Sequence, residues 1–230
     1  MYGFNQNTPK GLQPSQYLNG STWSGQTGQY YVLSGYANSL FQGDPVTMLN
    51  TGGIGIGVAG SGIIGVFWGV TYQDSTGNYV YSPFWTTGTV TFQAQPAIAY
   101  VIDDPNVLFD IQIASSAGAL VDAPGLTLTQ LNNNANFALG AGTTYNPVNG
   151  VTPLTNPTGG STLTGQSAFY LDSTTIQTGQ AAFSLKIIRL TPNPTNVFFS
   201  AGPPIVGAFN NALVLINNDI YKGGTGTVGI

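Results

Sequence analysis

The densest group of ionisable side chains in this 230-residue sequence is Asp103-Asp104-Pro105-Asn106, with Asp110 shortly after it. Clustered carboxylates can bind calcium or act as a catalytic acid–base pair. The spacing, however, does not match the ligand spacing of an EF-hand loop. The same residue types favour a tight turn, because Asp accepts backbone hydrogen bonds and Pro presets its φ angle. We therefore interpret the segment as a turn and predict no metal site and no catalytic residue.

A second pattern, G-I-G-V-A-G at residues 55–60, has the form of a dinucleotide-binding fingerprint, with Asp74 at the expected distance. That site needs a helix directly after the glycines, whose N-terminal amides bind the pyrophosphate. Three more glycines (62, 65 and 69) would lie in this helix, each costing about 1 kcal/mol. We predict instead a glycine-rich hairpin of two strands joined at 59–62, and no cofactor.

The overall composition excludes several classes of site. The chain has no cysteine and no histidine, so disulfides, thiolate or imidazole zinc sites, and cysteine or serine–histidine nucleophiles are ruled out. Four Lys and Arg residues cannot neutralise a run of phosphates, so no nucleic-acid partner is expected. Only 5% of the residues are charged, against about 25% in an average domain. We expect a protein that is not an enzyme.

Targeting to a membrane is not expected either. The first residues, Met1–Asn7, lack the positive and apolar regions of a secretory signal. The uncharged stretch Thr51–Val70 is about long enough to span a bilayer. It is rich in glycine, and its alternation of glycine with isoleucine and valine has the period of a strand. We interpret it as strands of a soluble protein with no membrane partner.

Aromatic residues are the remaining candidates for a binding surface. Trp23, Tyr30 and Tyr31 lie in a polar segment, 1–40, that contains several glycines and prolines. We predict that this segment is an extended arm, because such a segment becomes ordered when it lies over another surface. Trp23, Tyr30 and Tyr31 are the predicted partner contacts. Trp68 lies in an apolar strand and is predicted to be core; a sugar-stacking platform of Trp and Tyr is the alternative.

The elements that would position these residues are strands. Glutamate is absent, lysine and arginine are rare, and Thr, Ser, Asn and Gly fill the polar positions, which favours strands and turns over helices. Turn signals about 8–12 residues apart are typical of a sandwich or barrel. The predicted strands are 46–49, 53–58, 63–72, 79–82, 87–93, 97–102, 107–113, 167–171, 180–190, 197–199 and 212–216.

The predicted fold class is therefore all-β, a β-barrel or β-sandwich with the arm at 1–40 and long loops. Residues 41–230 form the β domain. They make up either one unit or two β-subdomains, 41–114 and 160–230. The segment between them is rich in Asn, Thr, Pro and Gly over 132–160 and is predicted to form surface loops. One short helical turn is predicted at 115–122.

Several short stretches together carry a resemblance to a known group of proteins. They are Gly11-Leu12-Gln13-Pro14, Leu18-Asn19-Gly20-Ser21, Gly43-Asp44-Pro45-Val46, Ile64–Tyr72 with Asp74 and Gly77, Ser82, Trp85, Gly88-Thr89, Val101–Asn106, Thr164-Gly165-Gln166-Ser167, Leu171-Asp172-Ser173-Thr174 and Ile216-Asn217-Asn218. The combination resembles the small structural proteins that decorate or cement the outer head of tailed bacteriophages. It covers most of residues 11–218 and consists of turn and strand motifs.

The resemblance implies a virion protein on the outer capsid surface, made in the host cytoplasm. Its partner would be the major capsid protein, and the implied state is a homotrimer on local three-fold axes. Three rivals remain: a fibre or adhesin module that binds host-surface glycans, a coat protein with its own lattice, and a polysaccharide-degrading enzyme that uses aspartates.

Overall fold

The computed structural model describes residues 8–114, 126–139, 143–146, 150–153, 159–194, 196 and 209–222. The predicted helical turn at 115–122 and the predicted strand at 197–199 lie outside these residues. The described part contains strands and short 3-10 turns but no α-helix, so the all-β prediction is confirmed.

Seventeen strands follow one another along the described chain. They are β1 Gln13–Tyr17, β2 Gly28–Val32, β3 Leu40–Phe41, β4 Pro45–Met48, β5 Ile54–Ile56, β6 Gly65–Gln73, β7 Tyr79–Ser82, β8 Phe84–Trp85, β9 Ala97–Ile102, β10 Val107–Ala114, β11 Asn134–Ala135, β12 Phe137–Leu139, β13 Thr143–Asn146, β14 Gly150–Pro153, β15 Phe169–Asp172, β16 Leu185–Leu190 and β17 Asn211–Ile216. The 3-10 turns are Phe92–Ala94, Leu128–Gln130, Ser173–Thr175 and Ile220–Lys222.

Seven strands form a nearly closed barrel in the order β11-β16-β17-β10-β15-β12, with β1 also paired to β10. Its two end strands, β11 and β12, are separated in the chain by Asn136 alone, which brings the ends of the sheet together. Asn136 joins the neighbouring strands as well, because its carbonyl accepts the Asp172 N–H (2.9 Å) and its side chain accepts the Ser184 N–H (3.1 Å). The interior is filled by buried side chains such as Phe109, Leu171 and Val214.

Six strands form a second sheet in the order β2-β9-β6-β4-β5, with β7 added to the free part of β6. Its inner face carries a separate buried cluster that includes Val32, Phe67, Val70, Trp85 and Ala99. Because side chains alternate between the two faces of a strand, the residues between these positions point outward. Two small two-stranded sheets, β3-β8 and β13-β14, complete the described structure.

The two large sheets meet at a set of close backbone contacts that we call the sheet junction: Gly11, Leu12, Gly43, Asp44 and Ser167. The Gly11 N–H donates to the Phe169 carbonyl (3.1 Å) of the barrel. The Leu12 N–H donates to the Gly43 carbonyl and the Gly43 N–H to the Phe67 carbonyl of the six-stranded sheet, both at 2.9 Å. Three successive main-chain bonds therefore link the barrel to the second sheet.

The structure corrects the predicted arm. Residues 8–40 do not lie apart from the β domain, because β1 pairs with β10 in the barrel and β2 pairs with β9 in the six-stranded sheet. Leu12 and Val32 are fully buried. The segment looked like an arm because its side chains are mostly polar. Pairing uses backbone groups, however, and a strand with one solvated face needs few apolar residues.

The chain is divided between the two large sheets at a different place from the predicted subdomains, 41–114 and 160–230. The chain passes from one sheet to the other at the turn Asp103–Asn106, so β10 belongs to the barrel and not with the strands before it. The turn itself was predicted correctly: the Val107 N–H donates to the Asp104 carbonyl (3.1 Å) and the Asn106 N–H to Asp104 Oδ1 (2.8 Å).

Three smaller predictions are wrong. The predicted hairpin within 53–72 does not form, because β5 and β6 each pair with β4 and flank it. The predicted strand at 87–93 is interrupted by turns: the Thr89 N–H bonds back to Thr86, and Gln93 and Ala94 both have positive φ. The loop prediction for 132–160 missed four short strands, β11 to β14.

Candidate functional site

The outer face of the six-stranded sheet carries a row of side chains across four strands. The register pairs Tyr31 with Ile98, Ile98 with Thr71 and Thr71 with Tyr81, on β2, β9, β6 and β7. Residues paired in this way point to the same face. With strands about 4.8 Å apart, the row spans roughly 14 Å.

Two flanking rows extend this surface. Gln29 pairs with Tyr100 on one side of the first row, and Gln73 pairs with Tyr79 on the other. We call the whole surface the tyrosine face: Gln29, Tyr31, Thr71, Gln73, Tyr79, Tyr81, Ile98 and Tyr100. Tyr79, Tyr81 and Tyr31 are the most exposed of these, at 81%, 65% and 55%.

Packing on the sheet positions two of the rings. The Tyr81 and Tyr100 ring centroids are 6.3 Å apart and the rings are tilted by 49°. Tyr81 reaches across the sheet to Gly69, where an added Cβ would lie 3.0 Å from the Tyr81 hydroxyl. Glycine at position 69 therefore leaves room for the Tyr81 side chain to lie against the sheet. The second ring, Tyr100, is held by a hydrogen bond that its hydroxyl accepts from the Thr71 hydroxyl at 3.4 Å.

The tyrosine face carries no ionisable group other than its phenols. Aromatic rings offer large apolar contact, while the hydroxyls and the amides of Gln29 and Gln73 offer hydrogen bonds at their tips. Contiguous exposed apolar surface of this kind marks interaction sites in soluble proteins. The arrangement suits adhesion to a neutral surface by stacking and hydrogen bonding.

Of the three predicted partner contacts, only Tyr31 lies on this face. Tyr30, its neighbour on β2, points to the other side. The Tyr30 hydroxyl lies 2.8 Å from Asp103 Oδ2, to which it donates, and 2.6 Å from the Tyr221 hydroxyl. Burial and these two contacts raise the pKa of Tyr30 above its usual value. Tyr30 thus connects the six-stranded sheet to the Asp103 turn, and a partner contact at Tyr30 stays a prediction.

Trp23 also lies away from the tyrosine face. Its ring packs edge-on against Trp68, with centroids 5.2 Å apart, beside the barrel core. Its Nε1 is buried and has no hydrogen-bond partner among the described residues. Trp23 therefore packs onto the protein's own barrel core, and a partner contact at Trp23 stays a prediction.

A pair of Trp23 variants tests this placement. Trp23→Ala is expected to lower the free energy of unfolding by about 2–3 kcal/mol, because it removes a large packed ring. Trp23→Phe keeps an aromatic ring and removes the unpaired N–H, so its change is expected to stay within about 1 kcal/mol. Urea unfolding followed by circular dichroism measures both. Equal stability of Trp23→Ala and the wild type would place the ring outside the core.

The residues that sequence reasoning missed are Tyr79, Tyr81 and Tyr100. A signal for them was present, because Tyr79-Val80-Tyr81 and Ile98-Ala99-Tyr100 alternate large and smaller side chains with the period of a strand. What could not be read from spacing alone was which strands are neighbours. The register brings the two segments together on either side of β6.

A polar cavity of about 100 Å³ lies against the outside of the barrel, lined in part by Lys10, Asp110, Gln112 and Asn211. Its polar groups are largely paired with one another. Asp110 accepts from the Thr191 hydroxyl and from the Asn211 amide, and Gln112 Oε1 accepts the Thr8 N–H at 2.9 Å. Burial raises the pKa of Asp110, although these bonds and Lys10 oppose it. The cavity is best explained as a hydrogen-bonded contact between the N-terminal residues and β10.

Asp44 of the sheet junction is a fully buried carboxyl group. Its Oδ2 accepts the Phe41 N–H at 2.8 Å, and its Oδ1 has no hydrogen-bond partner among the described residues. The Ser167 side chain and the Phe41 N–H favour the ionised form, but burial has the larger effect and raises the pKa of Asp44 to about 8. The carboxyl group is therefore largely protonated at neutral pH.

No family model, no curated protein and no solved structure matches the chain. Within the described ranges, no three or more Asp side chains come together in a way that could hold a metal ion. The same ranges contain no helix with the length and apolar character needed to cross a bilayer.

Proposed function

We propose that the protein is a structural protein of a tailed-bacteriophage virion. In this proposal it is made in the host cytoplasm, binds the outer surface of the head as a homotrimer, and stabilises contacts between major capsid subunits. The observation that carries the proposal is the tyrosine face: a broad, uncharged outer surface built on a rigid sheet.

The physical chemistry of that surface supports binding to a protein. Tyrosine is enriched at protein interfaces and charged residues are depleted at their centres. A tyrosine side chain supplies a large contact area while losing little conformational entropy. Because no charged side chain needs to be desolvated, the face avoids the cost of burying unpaired ions.

The charge of the whole chain supports the outside of the head over the inside. The net charge is −4 and the chain has four Lys and Arg residues. A protein facing packaged DNA would gain affinity from basic groups and would be repelled by a negative charge. The net charge thus favours a surface exposed to solvent.

The copy number in purified particles tests the proposal directly. Quantitative mass spectrometry after chymotrypsin digestion suits a chain with many aromatic and few basic residues. About one copy per major capsid subunit is expected. Absence from particles would overturn the proposal, and a handful of copies would favour a fibre protein.

Alanine substitution of Tyr31, Tyr81 and Tyr100 tests the surface itself. We expect the triple variant to bind heads that lack the protein at least about 100-fold more weakly, because central aromatic residues contribute most of the energy of an interface. Co-sedimentation with such heads measures the binding. The control is Leu163→Ala, which removes a 94% exposed apolar side chain from a turn off this face. Equal loss in the control, or none in the triple variant, contradicts the assignment.

The second candidate is a fibre or adhesin module that binds neutral glycans of the host surface. The specific observation in its favour is that Gln29, Thr71 and Gln73 accompany the tyrosine rings, since sugars use both stacking and hydrogen bonds. Retention of oligosaccharides on a glycan array, lost in the same triple tyrosine variant, would favour this candidate over the first.

A further inference from the structure

The strand β7, Tyr79–Ser82, forms an open edge of the six-stranded sheet. Among the strands that the structure describes, it pairs with β6 alone. An unpaired strand edge exposes backbone N–H and C=O groups that can pair with another chain. The edge also borders the tyrosine face, since Tyr79 and Tyr81 belong to both.

The turn before β7 shows which backbone groups are free. The Asp74 N–H donates to the Asn78 carbonyl at 2.9 Å and closes the β6–β7 hairpin. In an antiparallel ladder, bonded and non-bonded pairs alternate from such a point. Val80 and Ser82 therefore bond to β6, and the N–H and C=O groups of Tyr79 and Tyr81 point away from the sheet.

The hairpin holds this edge in a fixed conformation. Asp74 Oδ1 accepts the Thr76 N–H (2.8 Å) and the Asn78 N–H (3.0 Å), and Gly77 occupies the left-handed position with φ +90°. A tight turn followed by a left-handed glycine is a common three-residue hairpin connection. A partner strand would thus meet an edge that is already ordered, which lowers the entropic cost of binding.

Other outer strands of the two large sheets show features that discourage such pairing. In β1, Pro14 removes a donor and the register shifts between Pro14 and Gln16. The outer edge of β2 is covered by Gly53, the residue before β5. A Cβ added to Gly53 would lie 3.1 Å from the Tyr31 carbonyl oxygen. Proline, irregular register and coverage are the usual protections of an edge. The edge β7 has no proline, no charged residue and no register shift.

We propose that β7 is a docking edge for an extended, uncharged strand of the major capsid subunit, which continues the six-stranded sheet. This inference rests on the proposed function. The exposed backbone groups of Tyr79 and Tyr81 have the repeat of a strand, so they fit a polypeptide and not a sugar. The adjoining surface is neutral, so a strand without ionised side chains is the complementary occupant. Side chains of that strand on the outer face would contact the two tyrosine rings.

The test compares Tyr79→Pro with Tyr79→Ala. Both variants remove the ring, but only proline removes the outward N–H and places its ring on the edge. On heads that lack the protein, Tyr79→Ala is expected to bind a few-fold more weakly than wild type. Tyr79→Pro is expected to bind at least tenfold more weakly than Tyr79→Ala. Circular dichroism and thermal unfolding check that both variants are folded.

Hydrogen exchange on the wild type gives a second readout that needs no variant. The amides of Tyr79 and Tyr81 should exchange rapidly in the free protein and become protected when it is bound to heads. The Val80 amide, which already bonds to β6, should change much less and is the internal control.

The outcomes separate this inference from the proposed function. If wild type does not bind heads at all, the head-binding function fails. If wild type binds but Tyr79→Pro equals Tyr79→Ala and no new protection appears, head binding stands and the edge inference is overturned. If Tyr79→Pro instead abolishes self-association without heads, the occupant is a second copy of this chain, which overturns the assignment to the capsid subunit.

Discussion

Asp44→Asn is expected to make the protein more stable than wild type above pH 8 and similar to it near pH 4. The folded pKa of about 8 lies above the ordinary pKa of 3.8 for a solvated aspartate carboxyl group. Wild type therefore loses stability as the pH rises from about 4 to about 8, because ionisation is less favourable in the folded state than in the unfolded chain. Each pKa unit corresponds to about 1.4 kcal/mol, so the loss should reach several kcal/mol. Asparagine cannot ionise, so the Asp44→Asn variant does not undergo this loss of stability.

The measurement is the free energy of unfolding in urea from pH 4 to pH 9, for both proteins. Asp110 and Asp219 also have pKa values raised by burial, so the difference between the two curves is the quantity that isolates Asp44. Asp74→Asn is the control with the opposite sign. Hydrogen bonds from Thr76 and Asn78 lower the pKa of Asp74, so its contribution to stability disappears only as the pH falls. Parallel curves for wild type and Asp44→Asn would show that Asp44 is solvated or paired.

Gly11→Ala is expected to lower the free energy of unfolding by about 3 kcal/mol or more. Gly11 has φ +71°, which costs a residue with a Cβ roughly 1–2 kcal/mol. In addition, its Cβ would lie 2.5 Å from both the Gly43 carbonyl oxygen and the Ser167 Cβ. Neither group can move away without breaking the bonds of the sheet junction, so overpacking adds to the backbone strain.

The matched control is Gly20→Ala. Gly20 also has positive φ, +90°, but an added Cβ would meet nothing within 4 Å. Its cost should therefore be the backbone strain alone, about 1–2 kcal/mol. Denaturant unfolding of the two variants separates steric overlap from strain. If both variants lose the same stability, the two sheets are not tightly joined at Gly11.

Strand positions were largely predictable from the sequence, because alternation and turn residues are local signals. Tyr79–Ser82 and Ala97–Ile102 have the predicted bounds. The failures have a common cause. The predicted hairpin within 53–72 and the predicted arm depended on which strands are neighbours, and β4 lies between β5 and β6 while β1 pairs with the distant β10. The alternation of side chains within a segment indicates a strand, but it does not indicate which distant segment that strand pairs with.

The candidate site was less predictable than the fold. Tyr31 and Tyr30 are adjacent, and a strand places adjacent side chains on opposite faces, so at most one of them could share a face with the tyrosines of β7 and β9. Composition indicated an uncharged binding surface, but the choice among twelve tyrosines needed the register.

The burial of Asp44 could not be predicted from the sequence either. Gly43-Asp44-Pro45 has the residue types of an exposed turn, whereas in the structure Asp44 is fully buried and accepts a hydrogen bond from the Phe41 N–H.

The crossing of β1 into the barrel has a consequence for the order in which the chain folds during synthesis. Every strand of the six-stranded sheet lies between Gly28 and Ile102, so this sheet can form on the ribosome as soon as β9 has emerged. The preceding strand β1 must wait for β10, and the barrel cannot close until β17 has been translated. Non-local pairing of this kind is slow because a long loop must be closed first. Nascent chains should therefore pass through an intermediate in which the first sheet is formed, its β7 edge is exposed and β1 is unpaired.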